Sequence, residues 1–132
     1  MSQTKNYNFS QILVMPPFQR MGLGSTLLEN IYSHYNTANV LEITMEDPSP
    51  ECQRVRDFID AKNCTSLPEF GRDFVNKGWV WSVLTEFNGG LGWHPCMYTA
   101  ARDKFKINKK QARRIYEILR LKFTPKVFSI KP

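Results

Sequence analysis

The segment Gln19-Arg20-Met21-Gly22-Leu23-Gly24 has the composition of an anion-binding turn. It follows the apolar residues 12–15 and precedes residues 25–32, whose pattern is helical, so the predicted order is strand, glycine-containing turn and helix. A helix N-terminus leaves backbone N–H groups without internal partners, and glycines there let a phosphate approach the backbone. The segment therefore predicts an anion site, such as one for a cofactor pyrophosphate. The alternative is that both glycines serve only the turn.

A pair of carboxylates, Glu46 and Asp47, directly follows a second predicted strand over residues 40–45. Ligands of open α/β sheets bind beyond the carboxyl ends of parallel strands, so we expect this pair and the glycine turn at one edge of the sheet. A carboxylate there could take the proton that a lysine amine must lose before it attacks an acyl carbon. The alternative is that Glu-Asp-Pro-Ser only caps the next helix, through Asp47 or Ser49.

Hydrophobic periodicity predicts an α/β fold that opens with a β-α-β unit. Strands over residues 7–15 and 40–45 flank a helix over residues 24–35, which implies a parallel strand pair with a right-handed crossover. One face of that helix is apolar and is formed by Leu27, Leu28, Ile31, Tyr32 and Tyr35. A second helix is expected over residues 51–62, with an inward face made of Cys52, Val55, Phe58 and Ile59.

The chain divides into three segments. Residues 7–70 are the predicted cofactor-binding core, residues 71–96 are an insertion and linker of uncertain order, and residues 97–132 are a basic helical segment. The insertion contains all three tryptophans, and a short helix is expected over residues 72–76. In the last segment a short helix is expected over residues 97–105. Asn108 is the predicted N-cap of a second helix that continues to about Leu121, and Gln111 would complete a capping box. The apolar side of this second helix consists of Ala112, Ile115, Tyr116, Ile118 and Leu119.

Composition excludes several classes of function. The net charge is +6, and eleven of the eighteen Lys and Arg residues lie from Ala101 onward, which we interpret as a solvated helix face and not a nucleic-acid site. The three cysteines have no metal-ligand spacing, so neither a disulfide framework nor a metal site is expected. No apolar run approaches the ~20 residues of a membrane span, and the polar N-terminus indicates an intracellular protein.

Several segments together resemble the type B histone acetyltransferases of the GNAT superfamily. They are SQILV at residues 10–14, PFQ at 17–19, GLG at 22–24, LEITMEDPS at 41–49, RDF at 56–58 and KFKINKKQARRIYEILRL at 104–121. The last run is long and has no general structural reason to recur, which makes it the most specific of them.

The resemblance implies a partial GNAT (acyl-CoA N-acyltransferase) fold, a strand-loop-helix-strand core followed by C-terminal helices. It implies acetyl-CoA as the co-substrate of a core at residues 7–70. The backbone of Ile12, Leu13 and Val14 would pair with the pantetheine arm. The pyrophosphate would lie on the loop formed by Gln19, Arg20, Met21, Gly22, Leu23, Gly24 and Ser25.

The resemblance also assigns the reaction. Glu46 would be the general base, with Asp47 as a second acid near the substrate lysine, and acetyl would pass directly to a lysine of a newly synthesised histone tail. No metal and no acyl-enzyme are expected, so Cys52 and Cys64 are not expected to be nucleophiles. The implied partners are the histone tail and a WD-repeat histone chaperone, without membrane or direct nucleic-acid binding. The implied location is the nucleus and cytoplasm.

Two departures from the family favour a second hypothesis. Family members carry an N-terminal domain and opening strands that have no counterpart in this sequence, so we expect an N-terminally truncated copy that lacks one wall of the histone groove. Residues 79–95 have no counterpart in the family either. The alternative function is therefore a non-catalytic remnant that binds acetyl-CoA or a partner.

Overall fold

A β-α-β unit opens the chain, and helices follow it. A computed structural model describes residues 4–10, 12–75 and 93–123. Short 3-10 turns and a helical turn at residues 72–75 lie between the longer elements. The mixed architecture of helices and a small parallel sheet is compatible with the predicted α/β class. The main elements are β1 (Lys5–Phe9), α1 (Leu23–Tyr35), β2 (Val40–Met45), α2 (Pro50–Cys64), α3 (Pro95–Phe105) and α4 (Lys109–Phe123).

The strands β1 and β2 pair in parallel, which confirms the predicted pairing. Tyr7 lies opposite Ile43 in the register. On the other edge of β2, the Ile43 N–H donates to the Lys106 carbonyl at 2.7 Å, and a parallel bridge joins Ile43 to Ile107. The segment between α3 and α4 therefore covers part of that edge.

The first strand is shorter than predicted and begins earlier. The prediction placed it over residues 7–15, whereas β1 ends at Phe9. Phe9 lies opposite Met45, the last residue of β2. After Met45 the chain leaves the sheet and leads into α2. Residues 12–15 therefore have no partner on β2 and continue outside the ladder.

One core cluster lies between β2, α1 and α2. The inward face predicted for α1 is confirmed at Leu28 and Tyr32, while Leu27, also predicted there, is 44% exposed. Fully burying an aliphatic side chain contributes about 1.5–3 kcal/mol, so this cluster fixes α1 and α2 against the sheet. Its buried members are Leu28, Tyr32, Val40, Ile43 and Ile59.

The helix α2 buries charged side chains where the sequence pattern predicted an aromatic one. Phe58 is 67% exposed, so its predicted inward position is wrong. Arg56 and Asp60 are buried instead, one helical turn apart, with Arg56 Nε 3.3 Å from Asp60 Oδ2. Residues two apart on a helix point in widely different directions, so a buried stripe through Arg56 and Asp60 leaves Phe58 outside.

The helices α3 and α4 form a second core cluster with the end of α2. The predicted N-cap of α4 is confirmed, because the Gln111 N–H donates to Asn108 Oδ1 at 2.9 Å. The apolar side predicted for α4 is confirmed at four positions, which are buried, and the fifth, Ile118, is half-buried. These four are Ala112, Ile115, Tyr116 and Leu119.

The described parts of the predicted insertion join this second core. Val75 and Trp93 are buried, and the Trp93 ring meets the Tyr116 ring edge-on with centroids 5.7 Å apart. The helix α3 begins at Pro95, two residues before the predicted start. Residues 76–92, which include Trp79 and Trp81, lie outside the described residues.

A polar network joins α2 to α4, with Asp57, Asp60 and Gln111 buried and Arg114 exposed at its edge. The Gln111 amide donates to Asp57 Oδ1 at 3.1 Å and to Asp60 Oδ2 at 3.0 Å. Arg114 Nε donates to the two Asp57 oxygens at 2.9 and 2.8 Å, and Arg114 Nη2 lies 2.8 Å from Oδ2. The predicted capping box is therefore correct only in its first half, because the Gln111 side chain is committed to α2.

Asp60 lies at the centre of this network and has a perturbed pKa. Burial raises the pKa of Asp60 to about 6, although Arg56, Tyr32 and Gln111 favour the ionised form. An unfolded aspartate titrates near about 3.9. Between these values the native state binds the additional proton, so the free energy of unfolding decreases as the pH rises through this window.

We expect Asp60→Asn to remove this dependence, because the amide does not titrate. Urea unfolding between pH 4 and pH 6.5 should show the parent losing stability relative to Asp60→Asn by up to about 1 kcal/mol per pH unit. The variant also loses the ion pair with Arg56, which lowers its stability. The diagnostic quantity is therefore the change with pH in the difference between the two proteins, and not the size of that difference at one pH. Asp103→Asn, at an exposed position, is the control. Parallel curves for parent and Asp60→Asn would contradict the assignment.

Candidate functional site

The glycine turn forms an open N-terminus for α1. Gly22 is the N-cap residue, in the left-handed region at φ 78°, and no side chain caps the helix. The first intrahelical bond runs from the Thr26 N–H to the Gly22 carbonyl at 3.0 Å. The backbone N–H groups of Leu23, Gly24 and Ser25 precede that bond, so they remain available to an anion.

The space outside this turn is open. A Cβ atom placed on Gly22 or Gly24 would meet no atom within 4 Å. Arg20 and Met21 are both exposed, and Arg20 also has a left-handed backbone, at φ 62°. A flexible guanidinium and three N–H groups therefore lie in one exposed turn, a combination that suits a phosphate.

The segment predicted to pair with a pantetheine arm runs towards this turn without a strand partner in the described part of the chain. The Val14 carbonyl accepts a hydrogen bond from Gln19 Nε2 at 3.0 Å, which fastens the segment to the turn. Leu13 is 80% exposed. Ile12 is half-buried against the first core cluster.

The two candidate catalytic carboxylates are exposed just after β2. The Glu46 N–H donates to the Phe9 carbonyl at 3.1 Å, and Glu46 Oε2 accepts from Asn8 Nδ2 at 3.4 Å. Asp47 has a left-handed backbone, at φ 44°. The cap of α2 comes from Ser49, whose hydroxyl accepts from the Cys52 N–H at 3.2 Å. Ser49 thus fulfils the capping alternative, and both carboxylates remain free for another role.

The carboxylates and the turn follow the carboxyl ends of the two parallel strands. The Glu46–Phe9 hydrogen bond marks the point where both strands end. Of the four residues with positive φ in the described part of the chain, Arg20, Gly22 and Asp47 belong to this region. Left-handed backbone costs an L-residue about 1–2 kcal/mol, and such strain often occurs at functional sites. The edge can hold an anion and offer a proton acceptor.

Asn8 is a member of this site that the sequence did not identify. Its amide reaches Glu46 across the end of the sheet. An asparagine in a strand carries no distinctive signal, and only the register that sets Asn8 opposite Thr44 brings it near the carboxylate.

The two cysteines of α2 are poor nucleophiles. Burial raises the pKa of the Cys52 thiol, and burial also raises the pKa of the Cys64 thiol. Cys52 Sγ lies 3.3 Å from Met45 Sδ, and Cys64 is fully buried. Both environments favour the protonated thiol over the reactive thiolate.

Within residues 4–10, 12–75 and 93–123, no group of three His, Cys, Asp or Glu side chains is placed to hold a metal ion. No helix in these ranges is long and apolar enough to cross a membrane. A cavity of about 330 Å³, lined by Tyr32, Asn63 and Phe105 among others, does not include the carboxylates or the turn.

Comparison with known proteins places the chain in a family. The family described as histone acetyltransferase type B catalytic subunit, C-terminal, matches residues 56–121. The chain belongs to this family.

Individual relatives extend the match. The chain is 41% identical over 116 residues to the histone acetyltransferase type B catalytic subunit of Homo sapiens, a match covering 87% of the chain and 24% of the relative. The proteins of the same name from Zea mays and Arabidopsis thaliana are 38% and 35% identical over 117 and 118 residues, covering 83% of the chain and 24% of each relative. The chain spans about a quarter of the length of these curated relatives.

The family match and the candidate site occupy different parts of the chain. Residues 56–121 contain the network that joins α2 to α4, whereas the glycine turn and Glu46 precede this range. The match to the human relative covers 87% of the chain. The unmatched remainder is shorter than the segment that precedes Gln19, so the match includes both the turn and Glu46 wherever it begins.

The two glycines of the turn should respond oppositely to alanine. We expect Gly22→Ala to lower the free energy of unfolding by about 1 kcal/mol, because alanine is disfavoured in the left-handed region. Gly24 lies inside α1 with open space around it, so Gly24→Ala should raise the free energy of unfolding by about 0.5 kcal/mol. Urea unfolding of both variants measures this. Equal effects would contradict the left-handed assignment of Gly22.

Proposed function

We propose that this chain supplies the acetyl-CoA-binding and catalytic part of a GNAT-type histone acetyltransferase. The reaction is acetyl transfer from acetyl-CoA to a lysine of newly synthesised histone tails. Membership of the type B family supports the class of reaction. The observation that carries the proposal is that the uncapped N-terminus of α1 and the exposed carboxylate of Glu46 both follow the carboxyl ends of the paired strands.

In this proposal the turn holds the cofactor. The pyrophosphate binds to the N–H groups at the start of α1, with Arg20 supplying positive charge. The pantetheine arm lies along residues 12–14. The Val14 carbonyl already accepts from Gln19, so the pantetheine amides pair with the remaining backbone groups of that segment.

Glu46 acts as the general base. Its carboxylate accepts a proton from the lysine ammonium, and the neutral amine then attacks the thioester carbon. The C–S bond breaks and CoA leaves as its thiolate, which takes the remaining amine proton as the amide forms on the lysine and gives CoA as the thiol. Asp47 lies beside the substrate lysine as a second acid. The raised pKa of Cys52 supports direct transfer without an acyl-enzyme.

The alternative proposal is a non-catalytic acetyl-CoA- or partner-binding role. The observation that favours it is the exposure of both Glu46 and Asp47, because the described residues do not by themselves enclose a substrate lysine. Acetyl-CoA binding without turnover would support this alternative.

We propose two partners on the basis of the family resemblance. They are a histone tail as substrate and a WD-repeat histone chaperone, with action in the nucleus and the cytoplasm. The exposed cations of α4, among them Lys109, Lys110 and Arg113, would repel a basic histone tail, so we place the substrate at the Glu46 edge and not on α4.

Acetyl-CoA binding should depend on Gly22. In the parent, acetyl-CoA at 100 times its Kd should stabilise the fold by about 2.7 kcal/mol and raise the Tm. Gly22→Asp places a negative charge beside the pyrophosphate and should abolish that rise. Gly22→Ala, which has the same backbone strain without the charge, should keep most of it. Thermal shift and calorimetry measure both. An unchanged rise in Gly22→Asp would place the cofactor elsewhere.

Catalysis should depend on Glu46. Glu46→Gln should retain acetyl-CoA binding and lower the rate of acetyl transfer to a histone-tail peptide by at least ~10²-fold. The deficit should shrink at high pH, where more of the lysine amine is already deprotonated. Asp47→Asn, the control on the adjacent carboxylate, should lose less. A fully active Glu46→Gln together with an inactive Asp47→Asn would show that Asp47 is the base.

A further inference from the structure

A groove between α2 and α4 lies apart from the proposed active site. Its volume is about 390 Å³, and its apolar lining is Phe58, Ala61, Ile118 and Leu119. Phe58 is 67% exposed. An exposed aromatic side chain beside an apolar groove is typical of a protein-binding surface.

The groove is preformed. Its two walls are fixed to each other by the buried Gln111–Asp60 hydrogen bond and by the Asp57–Arg114 pair nearer the surface. The side chains of Ala112 and Ile115 pack α4 into the second core. A ligand that enters this groove meets helices already held in place, which lowers the cost of binding.

The rim of the groove is positively charged. Lys62 on α2 and Lys122 on α4 both line it, and within the described part of the chain neither forms an ion pair. The one carboxylate in the lining, Asp57, is neutralised by Arg114. Glu117 is exposed on α4 but is not among the lining residues. The free charge around the apolar floor is therefore positive.

We propose that this groove binds an amphipathic helix of a partner protein whose polar face is acidic. A helix offers apolar side chains at i, i+3, i+4 and i+7, which match a groove between two packed helices. Aspartate and glutamate beside that stripe would meet Lys62 and Lys122. Phe58 is the anchor of the contact.

Charge disfavours three other occupants. Residues 124–132 follow α4 directly but contain Lys126 and Lys131 and no acidic residue. A second copy of the chain would bring the same basic rim against itself. A basic histone tail is disfavoured for the same reason.

The experiment uses a display library of 18-residue helices, with glutamate at the solvent-facing positions and Leu, Ile, Met or Phe randomised on the apolar stripe. The library is selected on the full chain and on its Phe58→Ala variant. The best peptide and a copy with lysine in place of glutamate are then measured by fluorescence anisotropy. Matched controls are Phe74→Ala, a 38% exposed aromatic away from the groove, and Lys109→Glu/Lys110→Glu, two exposed cations away from the rim. Circular dichroism verifies that each variant is folded.

The proposal expects enrichment on the parent and not on Phe58→Ala, with the affinity of the selected peptide reduced at least ~10-fold by Phe58→Ala. Lys62→Glu/Lys122→Glu should reverse the preference in favour of the lysine peptide, whereas both controls should bind as the parent does. Equal enrichment on parent and Phe58→Ala, or no preference for the acidic peptide, would overturn the proposal. Tighter binding after deletion of residues 124–132 would identify the tail as the occupant, and concentration-dependent dimers abolished by Phe58→Ala would identify a second copy.

Discussion

Asp57 on α2 accepts hydrogen bonds from Gln111 and Arg114 on α4, and Gln111 also reaches Asp60. These contacts connect the two core clusters, because α2 contributes Ile59 to the first and Cys64 to the second. A buried carboxylate without a partner costs several kcal/mol, so the two helices can pack only in the arrangement that satisfies Asp57 and Asp60 together. The network therefore fixes how the β-α-β unit meets the C-terminal helices.

The same constraint extends to the candidate site through one residue of β2. The Ile43 N–H donates to the Lys106 carbonyl, and the Ile43 carbonyl accepts from Arg56 Nη2 at 3.1 Å. The edge of β2 that faces away from β1 is therefore held by the turn before α4 and by the side chain that pairs with Asp60. Glu46 follows β2 by one residue, so its position depends on contacts made within the family-matched segment. This dependence joins the segment that identifies the family to the edge where we place the chemistry.

The burial of charge on α2 also determines what the surface presents. Because Arg56, Asp57 and Asp60 turn towards β2 and α4, Phe58 is left on the outside of α2. Arg114 forms an ion pair with Asp57, whereas Lys62 and Lys122 line the groove and can interact with another molecule. The orientation of α2 about its own axis therefore explains both the connection between the two cores and the exposed Phe58 of the groove.

The local pattern of the sequence determined the elements. Apolar alternation predicted Val40–Met45, the periodicity of Leu28 and Tyr32 predicted the inner face of α1, and Asn108 predicted the start of α4, because each of these signals depends on near neighbours in the chain. The glycine turn and the carboxylates after β2 were likewise predicted to share an edge from the rule for parallel strands. Tertiary structure decided the rest. The length of β1 depends on where β2 ends, the outward position of Phe58 depends on partners for Arg56 and Asp60, and the side chain of Gln111 serves α2 and not its own cap. Asn8 reaches Glu46 only through the strand register. These features arise between residues far apart in sequence, where the cost of an unpaired buried charge or the end of a partner strand outweighs local preference.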